Sequence, residues 1–228
     1  MFLVKLGGSV ITDKSRPYTI REDNIRRLAA ELKASGQRVV LVHGAGSFGH
    51  PLAKKYSIQM GYQNDEQLPI VARIQRDVRT LDLRIIDILI GEDLDPVAIP
   101  PGTNVVCRDK LITEMDFRPF RQYLDMGLMP VTFGDVVPDS SMRFCICSGD
   151  QLILLLAREL KPEGVLFVAD VDGVFDSDPA TNPDAKLLER LPVSGISALD
   201  GGSGVDDVTG AMRGKLENMA AMTMGASS

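Results

Sequence analysis

Two apolar runs, each ending in a glycine-rich loop, constrain this chain more than any other feature. Phe2-Leu3-Val4-Lys5-Leu6 leads straight into Gly7-Gly8-Ser9, and Arg38-Val39-Val40-Leu41-Val42 leads into His43-Gly44-Ala45-Gly46-Ser47-Phe48-Gly49-His50. Short continuous apolar runs of this kind read as buried strands. Between them, residues 21–35 carry Ile25, Leu28 and Leu32 at helical spacing, and Gly36 supplies the stop. Strand, helix and strand at this separation predict a parallel βαβ unit, and hence an open α/β sheet. A strand that runs through glycines into a helix start presents backbone N–H groups to an anion. The 43–50 loop is therefore expected to hold a phosphate, with His50 touching it and Pro51 opening the next helix. His43, at the strand end, is expected to be structural.

Lys5 interrupts an otherwise apolar strand one residue before its end. A buried lysine costs several kcal/mol unless an anion meets it, and the adjoining glycines let a polyanion approach the backbone closely. The segment is not a P-loop, because no GxxxxGK[ST] follows the strand and the lysine precedes the glycines. Gly44-x-Gly46-x-x-Gly49 matches a dinucleotide string, but no strand-end acid follows at the required place.

Further along, residues 10–17 read as a mixed loop. Residues 66–91 carry the longest helical signal, with Val71, Ile74, Val78, Leu81, Ile85 and Ile88 forming one seam. Its plain reading is core packing; the alternative is that part of it faces a second subunit or an apolar ligand tail. A strand after Asp95, a β excursion over 103–117 and a short helix over 118–126 come next. A strand from Met129 and a hairpin from Gly134 to Ile146 complete this stretch. Ser148-Gly149-Asp150 caps an apolar helix over 151–160, and 165–169 is again a buried strand. It ends in Asp170-Val171-Asp172-Gly173-Val174-Phe175-Asp176-Ser177-Asp178-Pro179, a loop suited to the carboxyl edge of an open sheet. Val174, Phe175 and the missing downstream glutamate argue against an EF-hand. A last helix begins around Asp206–Thr209, and Lys215 near its start is favoured only if a phosphate lies there.

Composition narrows the class. With 228 residues, 44% apolar and 25% charged, the chain can bury a substantial core, and no apolar run approaches a membrane span. No membrane or nucleic-acid partner is expected: there are 25 Lys+Arg against 31 Asp+Glu, no Trp and only four Tyr. The first strand begins almost at once, with no charged segment and cleavable apolar stretch before it, so no signal peptide is expected. Cys107, Cys145 and Cys147 are odd in number and form no CxxC pair, which points to a reduced, cytoplasmic setting.

Taken in order, several strings resemble the amino acid kinase superfamily. They are Lys5-Leu-Gly-Gly-Ser, His43-Gly-Ala-Gly-Ser-Phe-Gly-His50, Gly134-Asp135-Val136, Ser148-Gly149-Asp150, Asp170-Val-Asp-Gly-Val-Phe and Asp207-Val-Thr-Gly-Ala-Met-x-x-Lys215. Within that superfamily the chain is most similar to archaeal-type isopentenyl phosphate kinases, through the Gly-Ser-Phe-Gly-His string. The resemblance implies one domain over 1–228: an open, mostly parallel sheet sandwiched by helices, with β-hairpin excursions. The acceptor side would occupy roughly 1–160 and the nucleotide side 161–228.

It also implies transfer of the ATP γ-phosphoryl group to isopentenyl phosphate, with Mg²⁺ held mainly by the nucleotide phosphates, and a homodimer. Lys5, Lys14, His50, Asp150 and Lys215 would be catalytic, Asp150 by positioning the two lysines Lys5 and Lys215. Lys5, Gly7, Gly8, Ser9, Gly46, Asp170, Phe175, Asp176, Asp178, Gly210 and Lys215 would hold ATP. Ala45, Gly46, Gly49, His50 and Gly149 would hold the acceptor. Ala45 and Ala211 stand where the family usually has glycine. The chain stops at Gly225-Ala226-Ser227-Ser228, where the family has a further strand, so an exposed sheet edge is expected. Two other readings remain open: a kinase for another small phosphate or phosphonate such as fosfomycin, and a non-catalytic ligand-binding module.

Overall fold

The computed structural model describes residues 1–177, 182 and 184–190. Its packing falls into two compact units, Met1–Val168 and Ala169–Ser228. The expected last helix, with Gly210, Ala211 and Lys215, lies outside the described residues, as do Asp178 and the chain end.

In the first unit, β1 (Phe2–Leu6), β2 (Val39–His43), β3 (Pro96–Ala98), β6 (Met129–Phe133) and β9 (Gly164–Val168) form a five-stranded sheet in the order β3-β6-β2-β1-β9. Every neighbouring pair is parallel. Every residue of β2 and β6 is buried, which is why these runs show no polar alternation. The remaining strands form a second sheet: β4 (Val105–Arg108), β5 (Leu111–Met115), β7 (Asp135–Asp139) and β8 (Arg143–Cys147), in the order β5-β4-β7-β8. The two hairpins expected separately are thus joined, through a parallel contact of Cys107 with Asp139.

Helices α1 (Gly8–Ile11), α2 (Glu22–Ser35), α3 (Gly46–Lys55), α4 (Gln67–Gly91), α5 (Arg118–Asp125) and α6 (Gly149–Leu160) complete the unit. Gly36 ends α2 in the left-handed region at φ 61°, as its stop position requires. Ser148 and Gln151 close a reciprocal capping box at the start of α6. Two sequence expectations are corrected. The 10–17 loop begins inside α1, and α3 starts at Gly46 rather than Pro51, so His50 and Pro51 lie within the helix.

The α4 seam belongs to the chain's own core. Ile74, Val78, Leu81, Ile85 and Ile88 are all buried. Leu81, Ile85 and Ile88 pack in a cluster with Val4, Ile25, Leu41 and Val131, while Ile70, Ile74 and Val78 pack with Phe133, Val136 and Phe144. One long helix therefore joins the parallel sheet to the hairpin layer. At about 1.5–3 kcal/mol per fully buried aliphatic side chain, this seam is a leading contribution to stability.

Candidate active site

Parallel pairing puts the carboxyl ends of β1, β2 and β6 side by side, so the loops that follow them meet at one sheet edge. The approach is close enough to require glycine. A Cβ on Gly44 would lie 2.9 Å from the Gly8 nitrogen, and one on Gly8 would lie 2.9 Å from the Gly46 Cα. Gly46 itself has φ +47°, a conformation that a side chain would strain. Gly134, at the end of β6, has the Gly149 and Ala45 nitrogens as near neighbours, 3.4 and 3.8 Å from the position of a Cβ.

Lys5 is buried, and its Nζ lies 2.8 Å from Asp150 Oδ1. The anion anticipated for this lysine is thus the acid at the start of α6, and the ammonium also lies 5.9 Å from the Phe167 ring centroid. Gly149 gives the lysine stem room: a Cβ there would meet Lys5 Cε at 3.3 Å and the His43 carbonyl at 3.4 Å. The fully buried His43 faces Asp82 of α4 through Nε2 at 3.1 Å and stacks on Phe133. It thereby ties the start of the second loop to α4.

The expected donors divide into two groups. Gly7 N–H already donates to the Val168 carbonyl at 2.9 Å, and Gly49 N–H to the Ala45 carbonyl at 3.2 Å. Both are occupied, correcting the expectation that each is available to an anion. Gly49 instead permits close packing, since a Cβ there would lie 3.2 Å from Val78 Cγ2. Among the described residues the N–H groups of Gly8, Ser9, Ala45 and Gly46 have no acceptor. They form two adjacent donor pairs, one at each helix start.

His50 is exposed on α3, and Lys14 is exposed on the neighbouring loop. Desolvation by the surrounding protein, and then the Lys14 ammonium, hold the His50 pKa below its ordinary value. In the second unit, Asp176 accepts from Lys186 N–H at 2.9 Å and from Ser177 Oγ, and Phe175 bridges to Leu187. Its pKa is lowered by the Lys186 N–H, and Asp170 is exposed. A cavity of about 530 Å³ is lined by Tyr18, Ile20, Phe48, Arg76, Asp77, Thr80 and Arg84, and contains none of the expected site residues.

Sequence reasoning missed Thr12. It is fully buried, and its hydroxyl joins the two glycine loops. A threonine inside a short mixed stretch offers no periodicity or spacing that would single it out.

A parallel α/β sheet with two glycine loops abutting at its carboxyl edge, and a lysine–aspartate pair beside them, is an arrangement that can bring anionic groups together. The chain belongs to the amino acid kinase family, whose description matches residues 1–227.

It is similar to the isopentenyl phosphate kinase of Methanothermobacter thermautotrophicus, with 40% identity covering 96% of this chain and 85% of that one. The isopentenyl phosphate kinase of Methanocaldococcus jannaschii is 36% identical, covering 94% of this chain and 85% of the relative. A Thermoplasma acidophilum isopentenyl phosphate kinase product complex superposes with a TM-score of 0.82 at 33% identity, covering 99% of this chain and 87% of that structure.

Proposed function

We propose that this chain transfers the γ-phosphoryl group of ATP to the phosphate of isopentenyl phosphate, forming isopentenyl diphosphate. The observation that carries the reading is the contact between the two glycine loops, which places the donor pairs Gly8/Ser9 and Ala45/Gly46 side by side. Two adjacent anion sites suit a reaction that joins two phosphates. The names of the relatives support the choice of acceptor.

A phosphate oxygen is ionised at neutral pH, so the reaction needs no general base. Catalysis reduces to holding two anions in line and stabilising charge on the group in flight. In this reading Lys5, oriented by Asp150, carries charge to the transferring phosphoryl group, and Gly8 and Ser9 donate to the ATP phosphates. Ala45 and Gly46 donate to the acceptor phosphate, His50 holds it, and Lys14 adds a cation from its loop. Lys215 would add a further cation, and Asp170, Phe175, Asp176, Asp178 and Gly210 would contact the nucleotide; motif resemblance supports these assignments.

Mg²⁺ would enter with ATP on the phosphate oxygens, neutralising their charge. Such ions bind through one or two carboxylates plus phosphates. In this reading the nucleotide would supply most of the ligands.

A homodimer is also part of this reading. Its support is the exposed pair Leu83 and Ile90, two turns apart on one face of α4. The three free, buried cysteines support a reducing, cytoplasmic setting. Among the described residues no helix is long and apolar enough to cross a membrane.

The test is a coupled ADP-release assay with isopentenyl phosphate, with fosfomycin and without acceptor. Turnover only with isopentenyl phosphate is expected. Turnover only with fosfomycin would reassign the acceptor, and ATP binding without any turnover would indicate a non-catalytic module.

A further inference from the structure

Helix α3 has no cap of its own: its N-cap residue, Ala45, makes no side-chain hydrogen bond to the first turn. The missing acceptor comes from another element. Thr12 Oγ1 accepts the Ser47 N–H at 3.0 Å and donates its own proton to the Gly8 carbonyl at 2.7 Å. The Thr12 N–H also reaches that carbonyl, at 2.9 Å. One buried hydroxyl therefore spans the gap between the loop after β1 and the loop after β2. The geometry leaves no slack: a Cβ on Gly46 would lie 2.2 Å from Thr12 Oγ1 and 3.0 Å from the Gly8 carbonyl oxygen.

Thr12 also begins the loop that carries Lys14. Its backbone pairs with Ile20 in an isolated antiparallel bridge, and Asp13 N–H donates to the Thr19 carbonyl at 2.9 Å. The base of that loop is thus anchored at the residue that joins the two donor pairs.

We propose that Thr12 is a positioning residue for phosphoryl transfer, setting the separation between the donor-phosphate loop and the acceptor-phosphate loop. This rests on the kinase reading above. Thr12 touches neither phosphate in this role; it fixes the Gly8 carbonyl and the Ser47 amide, and through them the N–H pairs of Gly8/Ser9 and Ala45/Gly46. Reacting atoms must come within about 3–3.5 Å, and a misplacement of about 1 Å can lower rate about a hundredfold. Each loop would still bind its own anion after the link is cut, so the loss belongs in kcat rather than in either KM.

Three variants test this: Thr12→Val, which keeps shape and removes the hydroxyl; Thr12→Ala, a smaller side chain should the Val methyl not fit; and Thr12→Ser, which retains both hydrogen bonds. Steady-state kinetics are measured with ATP and isopentenyl phosphate at 25 °C, on samples checked for folding by circular dichroism. The expected result is a kcat lowered about 10- to 100-fold in the Val or Ala variant, with both KM values within about threefold of wild type, and recovery in the Ser variant. A merely structural threonine would lower the melting temperature and leave kcat of the folded enzyme intact. An unchanged kcat in a folded Val or Ala variant, or failure of Thr12→Ser to recover, overturns the proposal while leaving the kinase reading standing. A wild-type protein inactive with isopentenyl phosphate overturns the kinase reading itself, and with it the role of Thr12.

Discussion

At His50 two influences oppose each other. In the free protein, desolvation and the Lys14 charge lower its pKa from the ordinary 6.5, favouring the neutral ring near pH 7. A bound phosphate acts the other way, because an adjacent anion favours imidazolium. Acceptor binding should therefore take up a proton. Affinity should be highest below the pKa of the free protein and fall as pH rises through the interval up to that of the complex. Calorimetry in buffers of different ionisation enthalpy should show this proton uptake, and its absence would remove His50 from the acceptor phosphate. His50→Ala should lower kcat/KM for the acceptor by about 10- to 100-fold or more, the equivalent of one charge-assisted hydrogen bond, with ATP affinity unchanged in a binding titration. The Lys5–Asp150 pair belongs to the same scale. Replacing Asp150 by Ala leaves a buried ammonium without its partner, at a cost of about 3 kcal/mol; that is the low end for such pairs, because Asp150 is 28% exposed. Urea denaturation measures it.

At the scale of elements, the loop-to-helix junctions and α4 make separate demands. Gly46→Ala would force a side chain into the left-handed region and against Thr12, costing more than about 1 kcal/mol from backbone strain alone. A variant as stable as wild type in urea would contradict that geometry. The α4 seam also shows why hydrophobic periodicity identifies a buried face without naming its partner. The repeat from Val71 to Ile88 is equally compatible with a subunit interface and an internal core. Only the contacts of Leu81 and Ile85 with Ile25, Leu41 and Val131 assign that half to the chain's own interior. Ile85→Ala should accordingly destabilise the folded chain by about 2–5 kcal/mol in urea, through lost burial and the cavity left behind.

For the whole molecule, the homodimer now rests on Leu83 and Ile90 rather than on the seam, and sedimentation velocity at micromolar concentration should show a dimer. A monomer alone would end that proposal. The order of β1, β2 and β6 and of the glycine loops after them was readable because these strands are short apolar runs with almost every residue buried, and each loop carries residues whose backbone needs are written in their identity. The expected burial of the strand over 165–169 is corrected: β9 is only half-buried, with Leu166 exposed, because it pairs on one side alone among the described strands. The two β excursions were legible as short strand-forming stretches broken by turn residues, but their union into one sheet was not, since pairing at Cys107 and Asp139 joins residues far apart in sequence. The same limit applies at the glycine loops. Composition and spacing alone marked residues 7–9 and 43–50 as candidate places for an anion. Tertiary structure decided which donors remain there: Gly7 and Gly49 donate to Val168 and Ala45, while among the described residues Gly8, Ser9, Ala45 and Gly46 have no acceptor. It also brought Lys5 to 2.8 Å from Asp150, the pairing that motif resemblance implied, and set Thr12 between the loops. A hydrogen bond depends on the position and direction of both partners, and sequence specifies those only after the chain has folded.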